Sequence, residues 1–147
     1  MKKQILSVVA MLSLAVSLSA AALANFSGAV KADIPFDFMV GKESMKAGHY
    51  QITGLTPSGT LVIHNLETKK SVTFQVTNGK TTAGDSDAKL VFNRYGNQYF
   101  LTRIWDGGET SSDLIKSKTE REAAKAKYLA QNNDQPEVVT IVAQIGN

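Results

Sequence analysis

Five side chains with the means to bind something fall within one short stretch: Arg94, Tyr95, Tyr99, Arg103 and Trp105. Guanidinium groups beside aromatic rings can stack on sugars, on aromatic ligands or on a partner chain. The stretch itself, from Lys89 to Asp106, reads as two strands folded back about Gly96-Asn97, a pair that adopts positive φ at little cost. That turn places Phe92 opposite Leu101, Arg94 opposite Tyr99 and Leu90 opposite Arg103, with Trp105 further along the same face. Val91, Tyr95, Phe100 and Ile104 take the other face, so Tyr95 points away from the other four candidates. A structural reading competes with the binding one: Arg94 across from Tyr99 is an ordinary cross-strand pair, and Trp105 has the character of a core residue. A hairpin apolar on both faces belongs in the middle of a domain.

Other chemistry is thinly represented. His49 and His64 lie on different predicted strands without HxH or HExxH spacing, so no metal site is assigned. No Gly-x-Ser-x-Gly elbow is present, and Ser44, Ser58 and Ser71 lie in or beside turns, so no catalytic residue is assigned. Asp85-Ser-Asp87 and Asp106-Gly-Gly-Glu109 carry oxygen ligands of the kind that hold calcium. The calcium-loop spacing fails, however, because Gly96 stands at the twelfth position from Asp85. Turn chemistry is the expectation for both. Asp33 and Asp37 flank Pro35 and are placed on the solvent side of their strand, where nothing marks them as a glycosidase pair. With no Cys in the chain, thiol catalysis, Cys-based metal sites and disulfides are excluded. No cofactor is expected.

The amino terminus addresses the chain to export. Met1-Lys-Lys precedes an uncharged run from Gln4 to Val30, most apolar from Ile5 to Leu18 and ending in Ala22-Leu-Ala24. This is the three-part pattern of a secretory signal peptide over residues 1–24. An uncleaved anchor is the alternative, since the run is long enough to span a bilayer. Cleavage would leave residues 25–147 as a single β-rich domain, periplasmic or extracellular, with no membrane span. Lys2 and Lys3 supply two of the three excess positive charges, so the domain is close to neutral. Near-neutrality gives no electrostatic reason for a nucleic-acid or anionic-membrane partner.

Elements that could position the hairpin follow from periodicity. Val30, Ala32, Ile34, Phe36, Phe38 and Val40 alternate along one face, with a break or an edge at Pro35. His49–Thr53, Leu61–Leu66 and Ser71–Thr77 read as further strands. In the last of these Val72, Phe74 and Val76 alternate cleanly with polar residues. Asn78–Asp87 and Gly107–Asp113 read as polar loops. The single predicted helix runs from Ser117 to about Gln131, with overlapping capping boxes at Ser117/Glu120 and Thr119/Glu122 and a thin stripe of Ala123, Ala126 and Ala130 beside Leu129. Glu137–Ile145 is the last strand, apolar enough for the inside of a sheet and a candidate neighbour of the first. About seven strands and one late helix predict a mainly β domain, an antiparallel sandwich or small barrel.

Phe36-x-Phe38-x-Val40-Gly-Lys, Ala47-Gly48-x-Tyr50-x-Ile52, the LVFxRYGxQYFL hairpin and Ser117-Lys-x-x-Glu120-Arg-Glu122 together resemble a group of short exported bacterial proteins of unknown function. The resemblance covers most of the chain after the leader and is most specific in the hairpin. It implies export and a β fold, and brings no activity, ligand or site residue. The expectation is an exported, non-catalytic binding or structural module of the cell envelope, with an envelope protein or glycan as partner. A small carrier with an apolar barrel cavity and a hydrolase with an unrecognised site are the alternatives.

Overall fold

In residues 29–34, Val30, Ala32 and Ile34 alternate with Lys31 and Asp33 and form β1 (Ala29–Ile34), apolar side chains inward. The computed structural model describes residues 28–56, 59–81 and 87–146, so the leader lies outside the described residues. Pro35 has no N–H to continue a ladder, and the strand ends before it. The chain resumes as β2 (Phe38–Val40), turns at Gly41 with φ of 60° and returns as β3 (Glu43–Met45) in a short hairpin.

A meander follows in β4 (Gly48–Thr56), β5 (Thr60–Asn65) and β6 (Ser71–Thr81). Buried Asn65 fixes the β5–β6 turn: its Oδ1 accepts from the backbone N–H of Glu67 at 2.9 Å and of Thr68 at 2.8 Å. The central hairpin is β7 (Lys89–Tyr95) and β8 (Gln98–Trp105), followed by β9 (Thr110–Leu114), α1 (Lys118–Gln131), β10 (Glu137–Val142) and β11 (Gln144–Gly146). Two predicted loops are therefore strand in part. The end of β6 pairs with β9, Asn78 against Ser112 and Thr81 against Thr110, and this mutual satisfaction of polar strands carries no hydrophobic signature.

The strands form two antiparallel sheets, β11-β1-β4-β5-β6 and β6-β9-β8-β7-β10. β6 belongs to both, pairing with β5 through Gln75 and with β9 from Val76 onward. The carboxy-terminal strand also changes sheets, with Ala143 as the bend: β10 pairs with β7, and β11 pairs with β1. Strands that switch sheets make the corners of a sandwich, and the domain is mainly β and sandwich-like. β2 joins β8 through a single parallel bridge, Met39 to Phe100, beside the segment that pairs with β9. Short strands bring the described total to eleven rather than seven. The last strand is beside β1 as expected but not inside a sheet, because β10 and β11 stand at the two ends of the strand order.

Aromatic rings fill the space between the sheets. Tyr50 meets Phe38 edge-on at 5.1 Å, Phe38 meets Phe92 at 5.4 Å and Phe92 meets Phe36 at 5.2 Å, all near-perpendicular contacts that suit the ring quadrupoles. Leu90, Ile34, Ile52 and Ile63 pack in the same core, each fully buried or nearly so.

α1 is attached by its first turn. Ser117 caps it, its Oγ accepting from the N–H of Glu120 at 3.1 Å, and Asn132 closes it in the left-handed conformation. The helix buries Glu120 and leaves Ala126, Ala130 and Leu129 exposed, so the expected alanine stripe is not its packing face. Glu120 instead turns its Oε1 to the Nδ2 of Asn93 on β7, at 2.9 Å.

Candidate functional site

The hairpin keeps the expected pairs Phe92–Leu101 and Arg94–Tyr99, then slips. Thr102 is an extra residue on β8, so Val91 faces Arg103, Leu90 faces Ile104 and Lys89 faces Trp105. Leu90 is thus not opposite Arg103, as the simple register had it. A bulge reverses the facing of every residue beyond it. Ile104 turns into the core, while Arg103 and Trp105 join Tyr95 and Phe100 on the outer face. The five candidate residues are divided between two places by this one insertion.

Arg94 and Tyr99 stay together on the core side, at the end of the aromatic chain. Tyr99 stacks on Phe36 with ring centres 3.9 Å apart and planes inclined by 14°. The guanidinium of Arg94 lies 5.3 Å from the centre of the Tyr99 ring, donates from Nε to the carbonyl of Gly96 at 2.8 Å and pairs through Nη1 with Glu137 at 3.3 Å. Cation–π contact, turn anchor and ion pair all act on one side chain. The arrangement seals the edge of the core and ties β10 to the hairpin.

On the outer face Arg103 forms a two-pronged pair with Asp113 of β9, Nε to Oδ1 and Nη2 to Oδ2 each at 2.7 Å. This pairing raises the guanidinium pKa above its already high value, so Arg103 stays charged. Buried Ser111 donates to the Oδ1 of Asp113 at 2.7 Å. Gly79 makes room for the group: a β-carbon there would fall 2.1 Å from that Oδ1 and 2.2 Å from the Ser111 hydroxyl. A shallow groove of about 260 Å³ runs past Arg103 and Asp113 to Asn93 and Glu120, with Val91 and Val138 as apolar walls.

Tyr95 and Trp105 are buried outside the main core. Tyr95 packs edge-on against Phe100 at 6.0 Å under the Lys116 ammonium, and its hydroxyl has no hydrogen-bond partner among the described residues. Trp105 lies beneath Lys89, whose ammonium is 5.5 Å from its ring centre. Neither offers an open stacking face, so the five residues form no common aromatic surface.

The remaining candidates have local partners. Asp37 anchors the loop after β3, accepting from Lys46 Nζ at 2.7 Å and from Ala47 N–H at 2.9 Å, and the lysine contact holds its carboxyl below the usual range. His49 turns Nδ1 to Asp33 at 3.5 Å and Nε2 to Glu67 at 3.7 Å, on opposite sides of an exposed ring, so the carboxylates do not converge with it on one point. Among the described residues no group of three or more His, Asp or Glu is placed to hold a metal ion. His64 Nδ1 lies 2.7 Å from Ser71 Oγ on the exposed strand surface. No carboxylate among the described residues is paired with His64. Asp106 accepts from the N–H of Gly108 at 3.1 Å, ordinary turn chemistry, and Asp85 lies outside the described residues.

Sequence reasoning missed Glu137, Asp113, Ser111 and Gly79, since their roles depend on which strands become neighbours. Among the described residues no helix is long and apolar enough to cross a membrane. The chain matches no protein-family model, no curated protein and no solved structure.

Proposed function

We propose that this chain is an exported, non-catalytic binding or structural module of the cell envelope, and that it meets its partner through its carboxy-terminal segment. One contrast carries this reading. The side chains best equipped for chemistry are tied into pairs that hold the fold, Arg103 with Asp113 and Arg94 with Glu137. Meanwhile Ile115, Tyr128, Leu129, Val138, Val142 and Ile145 stand exposed, and only Leu66 among the described large apolar residues precedes them in doing so. Exposed apolar side chains on one strand face, as Val138 and Val142 are on β10, support an interaction surface there. An apolar surface favours a protein partner over a glycan. The aromatic chain occupies the space that a ligand carrier would keep open, which weighs against that alternative.

The test compares the wild type with a Leu129→Ser/Val142→Ser variant after cell fractionation. The wild type should be retained in the envelope fraction without its leader. The variant should be exported, melt at the same temperature and wash free. Recovery of the wild type from the cytoplasm with Met1 intact, or unchanged retention of the variant, would overturn the proposal.

A further inference from the structure

Among the described residues the outer edge of β10 is unpaired in the strand order, and its hydrogen-bonding groups can be assigned. Ala143 donates its N–H to the carbonyl of Ala88 at 2.8 Å, in register with the Val142–Lys89 pair. In an antiparallel ladder such pairs alternate, so Ile141, Val139 and Glu137 also direct their backbone groups to β7. Val138, Thr140 and Val142 therefore direct theirs outward. Edges of this kind are normally protected by charge, proline or a bulge. Here residues 138–142 are Val-Val-Thr-Ile-Val, uncharged and β-branched throughout, with Val138 62% and Val142 76% exposed.

We infer that β10 pairs antiparallel with β10 of a second copy of this chain, about a two-fold axis at Thr140. The strand is complementary to itself in that register. Val138 would face Val142 of the partner subunit, Val139 would face Ile141 of the partner subunit, and Thr140 would face its own counterpart, with no like charges opposed. The three outward residues are the ones that become hydrogen-bonded pairs, giving about six backbone bonds across the axis. The ladder also ends cleanly at both ends. Pro136, the next outward position, lacks an N–H, and beyond Ala143 the chain leaves to pair with β1. A strand from an unrelated protein would need none of this symmetry. The inference rests on the carboxy-terminal segment being an interaction surface and is independent of envelope location.

Sedimentation of the purified full chain over a range of concentrations tests it. The wild type should form a dimer, and Val142→Lys, at an exposed site that leaves the β7 ladder intact, should weaken association at least about tenfold without altering the melting transition measured at concentrations where both are monomeric. Thr140→Pro, which removes only an outward N–H, should do the same. Paired Thr140 residues would have Cα atoms about 5.5 Å apart, within disulfide range. Thr140→Cys should thus give a covalent dimer on oxidation where Val138→Cys does not. A monomer at all concentrations, a dimer indifferent to Val142→Lys, or equal cross-linking from both cysteine variants would overturn the inference. A monomer that still needs Val142 for envelope retention would defeat the dimer alone, and a dimer found in the cytoplasm would defeat the envelope reading alone.

Discussion

Thr102 donates its hydroxyl to the carbonyl of Val91, 3.1 Å away across the central hairpin, at the point where the ladder slips by one residue. The bond pins the bulge that sends Ile104 to the core and Arg103 to Asp113. Thr102→Val should cost on the order of 1 kcal/mol in chemical denaturation, the net worth of one such bond. Deleting Thr102 should by contrast keep the fold, because the regular ladder then still sets Arg103 opposite Val91, Ile104 opposite Leu90 and Trp105 opposite Lys89. A deletion variant with no folded transition would show that Thr102 is not the extra residue of the ladder.

Phe92 is fully buried against Phe36 and Phe38. Phe92→Ala should lose about 3–5 kcal/mol, enough to unfold much of a marginally stable domain. Tyr99→Ala removes a half-buried ring from its stack on Phe36 and should cost about 1–2 kcal/mol. Arg94→Ala, at a partly exposed ion pair, should cost about 1 kcal/mol or less. Thermal melts of the three variants should fall in that order.

Gly79 and Asp113 should behave as a coupled pair. Gly79→Ala drives a methyl group into the Asp113 carboxylate and should cost about 1–3 kcal/mol through overpacking. In an Asp113→Ala background the same change should cost much less. A double-mutant cycle measures the difference, and additive losses would mean that the methyl group is absorbed elsewhere.

How much of this was legible in the sequence depends on whether a signal was local. Val30, Ala32 and Ile34 announced β1, the break at Pro35 was readable from a missing N–H, and Ser117 announced the helix start. The β6–β9 pairing was hidden because Asn78 and Ser112 are polar on a face that leaves no apolar period. The bulge was hidden for the opposite reason: with apolar residues on both faces of the hairpin, a slip by one residue leaves no conspicuous error of burial. Arg94 stands out in the sequence, but its tie to Glu137 depends on a strand 43 residues further along the chain.

Asp37 offers a pH test. Its carboxyl is held below the ordinary aspartate value of 3.8, first by the Lys46 ammonium and then by the Ala47 N–H. A depressed folded-state pKa contributes stability that is present above the unfolded value and is lost as pH falls through the folded one. An NMR titration should find the Asp37 midpoint below 3.8, and Lys46→Ala should move it upward. An unchanged midpoint in Lys46→Ala would show that the lysine is not the cause.

In the proposed function the carboxy-terminal apolar residues, and not the arginine–aromatic cluster, meet the partner. A photoreactive side chain placed singly at Leu129, Val138, Val142, Arg94 and Tyr99, and irradiated in living cells, tests it most directly. Discrete covalent adducts should form from Val138 and Val142, with Leu129 contributing, and none from Arg94 or Tyr99. Adducts from Arg94 and Tyr99 with none from the carboxy-terminal positions would contradict it.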